Sequence, residues 1–66
     1  MTVKFPQVKV KLVGEDGNAI AILGRVTREM RRKKIDSKDI TAFQQEATAG
    51  DYNHLLRVVM ETVEVR

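Results

Sequence analysis

Val8-Lys9-Val10-Lys11-Leu12-Val13-Gly14-Glu15-Asp16-Gly17-Asn18-Ala19-Ile20-Ala21-Ile22-Leu23 changes its period halfway along. In the first part Val8, Val10 and Leu12 alternate with Lys9 and Lys11, which predicts a strand over about 8–13 with one buried and one lysine-bearing face. Pro6, the only proline, suits the start or the edge of such a strand. Gly14 to Asn18 then supplies the glycine, Asp and Asn of a tight turn, and Asn18 or Asp16 can cap a following helix. From Ala19 the period becomes helical, with Ile20, Leu23, Val26, Thr27 and Met30 on one stripe and Arg25, Arg28 and Arg32 opposite. This helix is expected to run to about Lys34, where basic residues complement its C-terminal dipole.

Working outward, Ile35-Asp36-Ser37-Lys38-Asp39-Ile40 reads as a second helix start. Asp36 is the N-cap, Asp39 takes a capping-box-like place, and Ile35 can staple to Ile40. Ile40, Phe43 and Ala47 form its apolar stripe, and Gly50 reads as the stop. Asp51 then caps a third helix through Leu55, Leu56 and Val59. Thr62-Val63-Glu64-Val65 alternates and is rich in β-branched residues, which predicts a closing strand over about 61–65. The expectation is therefore an α+β single domain spanning 1–66, ordered β-α-α-α-β.

Composition sets the frame for this small domain. The chain has 66 residues, no cysteine, no tryptophan, one histidine and a formal net charge of +3. Disulfides are excluded, and His54 alone cannot make a structural zinc site, so no metal and no cofactor is expected. Chains of this size bury only about 60% of their unfolded surface, which makes association with a second copy the expected stabiliser. Two strands form a weak sheet by themselves, and a second subunit could complete a larger one across the free edge. No apolar run approaches the ~20 residues of a membrane span, and the N-terminus lacks the apolar core of a signal peptide. A cytoplasmic location without membrane attachment is expected.

Three features are candidates for chemistry. Arg25, Arg28, Arg31, Arg32, Lys33 and Lys34 put half of the twelve Lys and Arg residues into ten positions. Such density suits phosphate, since cations release its counterions and arginine offers a planar fork. A solvated helix face explains the same cluster without any ligand. Aromatic residues for stacking bases are few. The turn Val13 to Asn18 resembles a phosphate-cradling loop, although it lacks the Gly-Lys-Ser/Thr of a Walker loop and carries Glu15 and Asp16. Asp51-Tyr52-Asn53-His54 gathers polar side chains, but no serine or cysteine nucleophile accompanies them, so recognition is favoured over catalysis. A helix-turn-helix around Gly50 would leave only His54 and Arg57 to read bases.

Gly14-Glu15-Asp16-Gly17-Asn18-Ala19-Ile20-Ala21-Ile22-Leu23-Gly24-Arg25-Val26-Thr27-Arg28 and Ala47-Thr48-Ala49-Gly50-Asp51-Tyr52-Asn53-His54-Leu55-Leu56 together resemble a family of very small, uncharacterised phage and prophage proteins. The resemblance covers nearly the whole chain in the same order. This chain departs from that pattern at Ile20, where the family tends to have Phe, and at Ala49 and Asn53, where it tends to have Ser and Asp. It also lacks the family's tryptophan near Thr62. The resemblance implies a phage-like origin and brings no assigned activity, cofactor or site residue.

The expected function is that of a non-enzymatic, homo-oligomeric phage-type protein in the host cytoplasm. It would sequester a phosphate-bearing small ligand, such as a nucleotide immune signal, in anti-defence. Arg25, Arg28 and Arg32 would meet the phosphates, and Asn18, Tyr52, Asn53 and His54 the remainder of the ligand. The alternative is a nucleic-acid-binding or host-protein-binding accessory factor.

Overall fold

The computed structural model describes residues 3–12 and 17–66. The elements run β1 (Phe5–Val10), α1 (Ala19–Arg32), α2 (Ser37–Ala47), α3 (Tyr52–Thr62) and β2 (Val63–Val65). This is the β-α-α-α-β order that the sequence predicts. The strands pair in parallel, so a crossover must connect them, and the three helices make it. Beyond the strand bounds, the Lys4 N–H donates to the Glu61 carbonyl (3.0 Å), the Leu12 N–H to the Arg66 carbonyl (3.3 Å) and the Arg66 N–H to the Val10 carbonyl (2.8 Å).

The strand limits differ from the expectation of about 8–13 and 61–65. β1 begins earlier, at Phe5, and contains Pro6, because the register is irregular between Phe5 and Lys9 and Pro6 therefore owes no ladder hydrogen bond. Val13, together with the turn residues Gly14 to Asp16, lies outside the described residues. β2 is only three residues long because α3 runs on through Glu61 and Thr62. The Thr62 hydroxyl bonds the Val58 carbonyl at 2.6 Å, and the chain turns from helix to strand at Val63 with no intervening loop.

The core lies between the inner face of the sheet and the helices. Val8, Val10 and Val63 meet Ile22, Val26 and Met30 of α1, Ile40, Phe43 and Ala47 of α2, and Leu55, Val58 and Val59 of α3. Thr27 is also buried, and its hydroxyl oxygen accepts from the Gln44 side-chain amide at 3.2 Å, pinning α1 to α2. One sequence expectation fails here. Ile20 was expected on the inner stripe, yet it is 81% exposed, while Ile22 is 2% exposed. Ala19 to Leu23 is apolar at every position, so periodicity cannot say which side faces the sheet.

Caps explain the helix limits. Asn18, Asp36 and Asp51 each accept a backbone N–H of the first turn of the helix they precede. α1 ends two residues before Lys34, in a Schellman arrangement: the Ile35 N–H bonds the Met30 carbonyl and the Lys34 N–H bonds the Arg31 carbonyl, both at 3.0 Å. Ile35 then packs back on the core. Lys34 occupies the position usually held by glycine, with φ of 59°. Left-handed backbone costs an L-residue about 1–2 kcal/mol, against about 0.5–1 kcal/mol of extra chain entropy for glycine. Lys34→Gly is therefore expected to raise the unfolding free energy by about 0.5–1 kcal/mol, read as a later urea midpoint with unchanged slope.

Gly50 plays a different part from the one expected of it. α2 ends at Ala47, with the Thr48 hydroxyl on the Gln44 carbonyl at 2.8 Å, three residues ahead of the glycine. Gly50 instead makes room for His54, whose ring and Cβ would lie 2.8–3.0 Å from a Cβ placed there.

Candidate functional site

The wet face of β1 and the basic side of α1 meet in one hollow of about 320 Å³. It is lined by Lys9 and Val10 from the strand, by Lys11 just past its end, and by Arg25, Arg28 and Glu29 from the helix. The local pattern explains the arrangement. Val8 and Val10 point inward, so Lys9 and Lys11 emerge together on the other face, two residues apart. Arg25 and Arg28, three residues apart on a helix, share one side of it. The buried Ile22–Val26–Met30 stripe seats α1 against the core, which leaves Arg25 half-buried and Arg28 exposed at the rim.

Among the described residues, four cations therefore surround a hollow whose only acid is Glu29. Glu29 is itself engaged: the Arg32 guanidinium donates to its carboxylate at 3.2 Å. This exposed i,i+3 pair contributes no more than about 1 kcal/mol to stability, but it offsets the one negative charge on the wall. Arg28 has no ion pair among the described residues.

The other residues singled out in the sequence lie elsewhere. Arg32 sits outside the hollow on Glu29. Asn18 serves as the α1 cap, its side chain accepting from the Ile20 N–H at 2.8 Å. The Tyr52 hydroxyl donates to the Gly17 carbonyl at 2.6 Å, tying the start of α3 to the start of α1. Asn53 is exposed on the first turn of α3. One ring nitrogen of His54 lies 2.8 Å from the Glu46 carbonyl and 3.8 Å from its carboxylate, joining α3 to α2. Arg25 and Arg28 are thus brought together, and the Tyr52–His54 group is not brought to them.

No known family model matches the chain, and neither does any curated protein or solved structure. The site accordingly rests on its own geometry. Among the described residues, no three His, Cys, Asp or Glu side chains gather to hold a metal ion. None of their helices is long and apolar enough to cross a membrane.

Sequence reasoning overlooked Lys9 and Lys11 as site residues. Their alternation was visible, but it spoke only of a wet strand face. Which side of α1 that strand lies beside depends on tertiary packing, which a single period cannot report.

Proposed function

We propose that this chain is a non-catalytic binding protein for a phosphate-bearing ligand of nucleotide size, held between β1 and α1. The observation that carries the reading is the convergence of Lys9 and Lys11, at the end of β1, with Arg25 and Arg28 of α1 on one hollow. Lysines act as mobile point charges and arginines as planar forks, a combination that suits the tetrahedral, multiply charged phosphate. Glu29 can accept a sugar hydroxyl on the same wall. No aromatic ring lines the hollow, so stacking on a base, expected of Tyr52 from the sequence, is not part of the proposal. A volume of about 320 Å³ falls within the range of small-ligand sites, near its lower end. In the phage setting that the resemblance implies, such a protein would act by withdrawing a nucleotide signal from the host.

A nucleic-acid reading draws on a separate observation. Arg31, Arg32, Lys33 and Lys34 extend the cationic surface along the exposed end of α1. Calorimetric titration of the full chain with pyrophosphate, mononucleotides, cyclic dinucleotides and a short duplex, at low and high salt, separates the two. Saturable binding of a small phosphate ligand that is recovered unchanged is the expected result. Binding of the duplex alone, with affinity falling steeply in salt, would replace the proposal by the nucleic-acid reading. Silence across the panel would remove both.

A further inference from the structure

A second surface, which shares Arg28 with the phosphate hollow, runs along the outer stripe of α1. Ile20, Gly24, Thr27 and Arg31 follow one another at helical spacing on this side. Ile20 is 81% exposed, an unusual state for a large aliphatic side chain directly beside a hollow. One turn later, beyond the helix's own backbone and the two flanking residues, no heavy atom of the described residues lies within 4 Å of where a Gly24 side chain would begin. Around this flat spot a depression of about 470 Å³ opens, with Leu23 and Thr27 in it and Arg28, Arg31 and Gln44 on its walls. Ile20 and Leu23 also line an adjoining depression of about 260 Å³ that reaches Asp51 and Tyr52.

We infer that this groove is the self-association surface of the chain, and that its occupant is α1 of a second copy lying antiparallel about a two-fold axis near Gly24. Two observations favour a second copy. The groove carries its own knob and its own hole. With the axis near Gly24, Ile20 lies four residues, about 6 Å, to one side and faces the partner's depression four residues to the other side. One patch thus both inserts and receives, as an isologous interface requires. The charges are also polar along the groove: Arg28 and Arg31 stand at one end and Asp51 at the other. Antiparallel pairing brings each arginine end to the partner's aspartate end, whereas parallel pairing would set like charges together. The missing side chain at Gly24 lets the two backbones approach closely at the axis. The interface so formed is helical, distinct from the sheet-edge completion expected from the sequence.

Sedimentation velocity over a concentration series tests the inference, using the full chain, Ile20→Lys and Arg31→Glu. Wild type is expected to dimerise. Ile20→Lys is expected to weaken the dimer about 100-fold or more, since two buried isoleucines are lost per dimer. Arg31→Glu should weaken it about 10-fold, as one charge pair per half-interface is reversed. Circular dichroism should stay unchanged for both, because both side chains are exposed. A single cysteine introduced by Gly24→Cys, in a chain that has none, should form a disulfide-linked dimer on mild oxidation, whereas Ser37→Cys should not. A wild-type chain that stays monomeric throughout overturns the inference and leaves the groove to a different protein. A dimer of equal strength in Ile20→Lys overturns it in favour of another face.

Discussion

Phe43→Ala is expected to remove about 3–5 kcal/mol of stability and leave much of the chain unfolded at room temperature. Phe43 is 4% exposed and is the one aromatic side chain fully within the core among the described residues. It sits on α2, the helix that joins α1 and α3 in sequence and packs on both. Its removal costs the transfer energy of a ring and leaves a cavity that the neighbouring valines cannot fill, because branched side chains have few rotamers with which to collapse. The total to be lost is small. At about 0.05–0.15 kcal/mol per residue, a domain of this length holds roughly 3–10 kcal/mol. Urea titration followed by helical circular dichroism measures the change. A loss below about 1 kcal/mol would mean that α2 is not anchored through this ring. In a self-associating chain the midpoint of wild type and variant alike should rise with protein concentration, since only the folded form presents the groove.

The order of elements is legible in the sequence for a physical reason. Where alternation gives way to helical spacing at Asn18, the side-chain oxygen that caps the helix is written into the same residue. Asp36 and Asp51 mark their helices in the same manner, and all three accept the expected N–H groups. Helix ends were harder to read. α1 stops on Lys34 in a left-handed conformation, and a lysine there sends no signal that a glycine would have sent. α2 stops through the Thr48 hydroxyl while the nearby Gly50 serves His54. The closing strand was expected two residues early, from 61 and not 63, because Thr62 and Val63 are β-branched on both sides of the boundary between helix and strand. The exposure of Ile20 could not be read, because its neighbours are apolar all round. Of the candidate site, the arginine pair on α1 was legible as an i,i+3 spacing. The lysines that complete it belong to it only through the packing of β1 beside α1, a relation that no local pattern encodes.

Lys9→Glu combined with Lys11→Glu is expected to lower affinity for a phosphate ligand by roughly 100-fold or more, as two charge-assisted contacts of about 1.5–3 kcal/mol each turn repulsive. The pair isolates the hollow from the rest of the molecule. Both lysines are exposed, at the end of β1 and just past it, and neither lines the groove on α1, so self-association should be untouched. The fold should survive as well. The cost is a like-charge meeting of position 9 with its cross-strand partner Glu64, worth about 0.2–1 kcal/mol, and of both positions with Glu29 across the hollow. Tyr52→Phe supplies the contrasting arm. It removes the hydroxyl that holds the Gly17 carbonyl and, if the ligand sits between β1 and α1, leaves affinity as it was. Calorimetry on wild type and the two variants therefore decides between locations. Loss on the lysine pair with retention in Tyr52→Phe places the phosphates at the strand–helix hollow. The opposite pattern would move the ligand to the start of α3, where the arginines of α1 cannot share it.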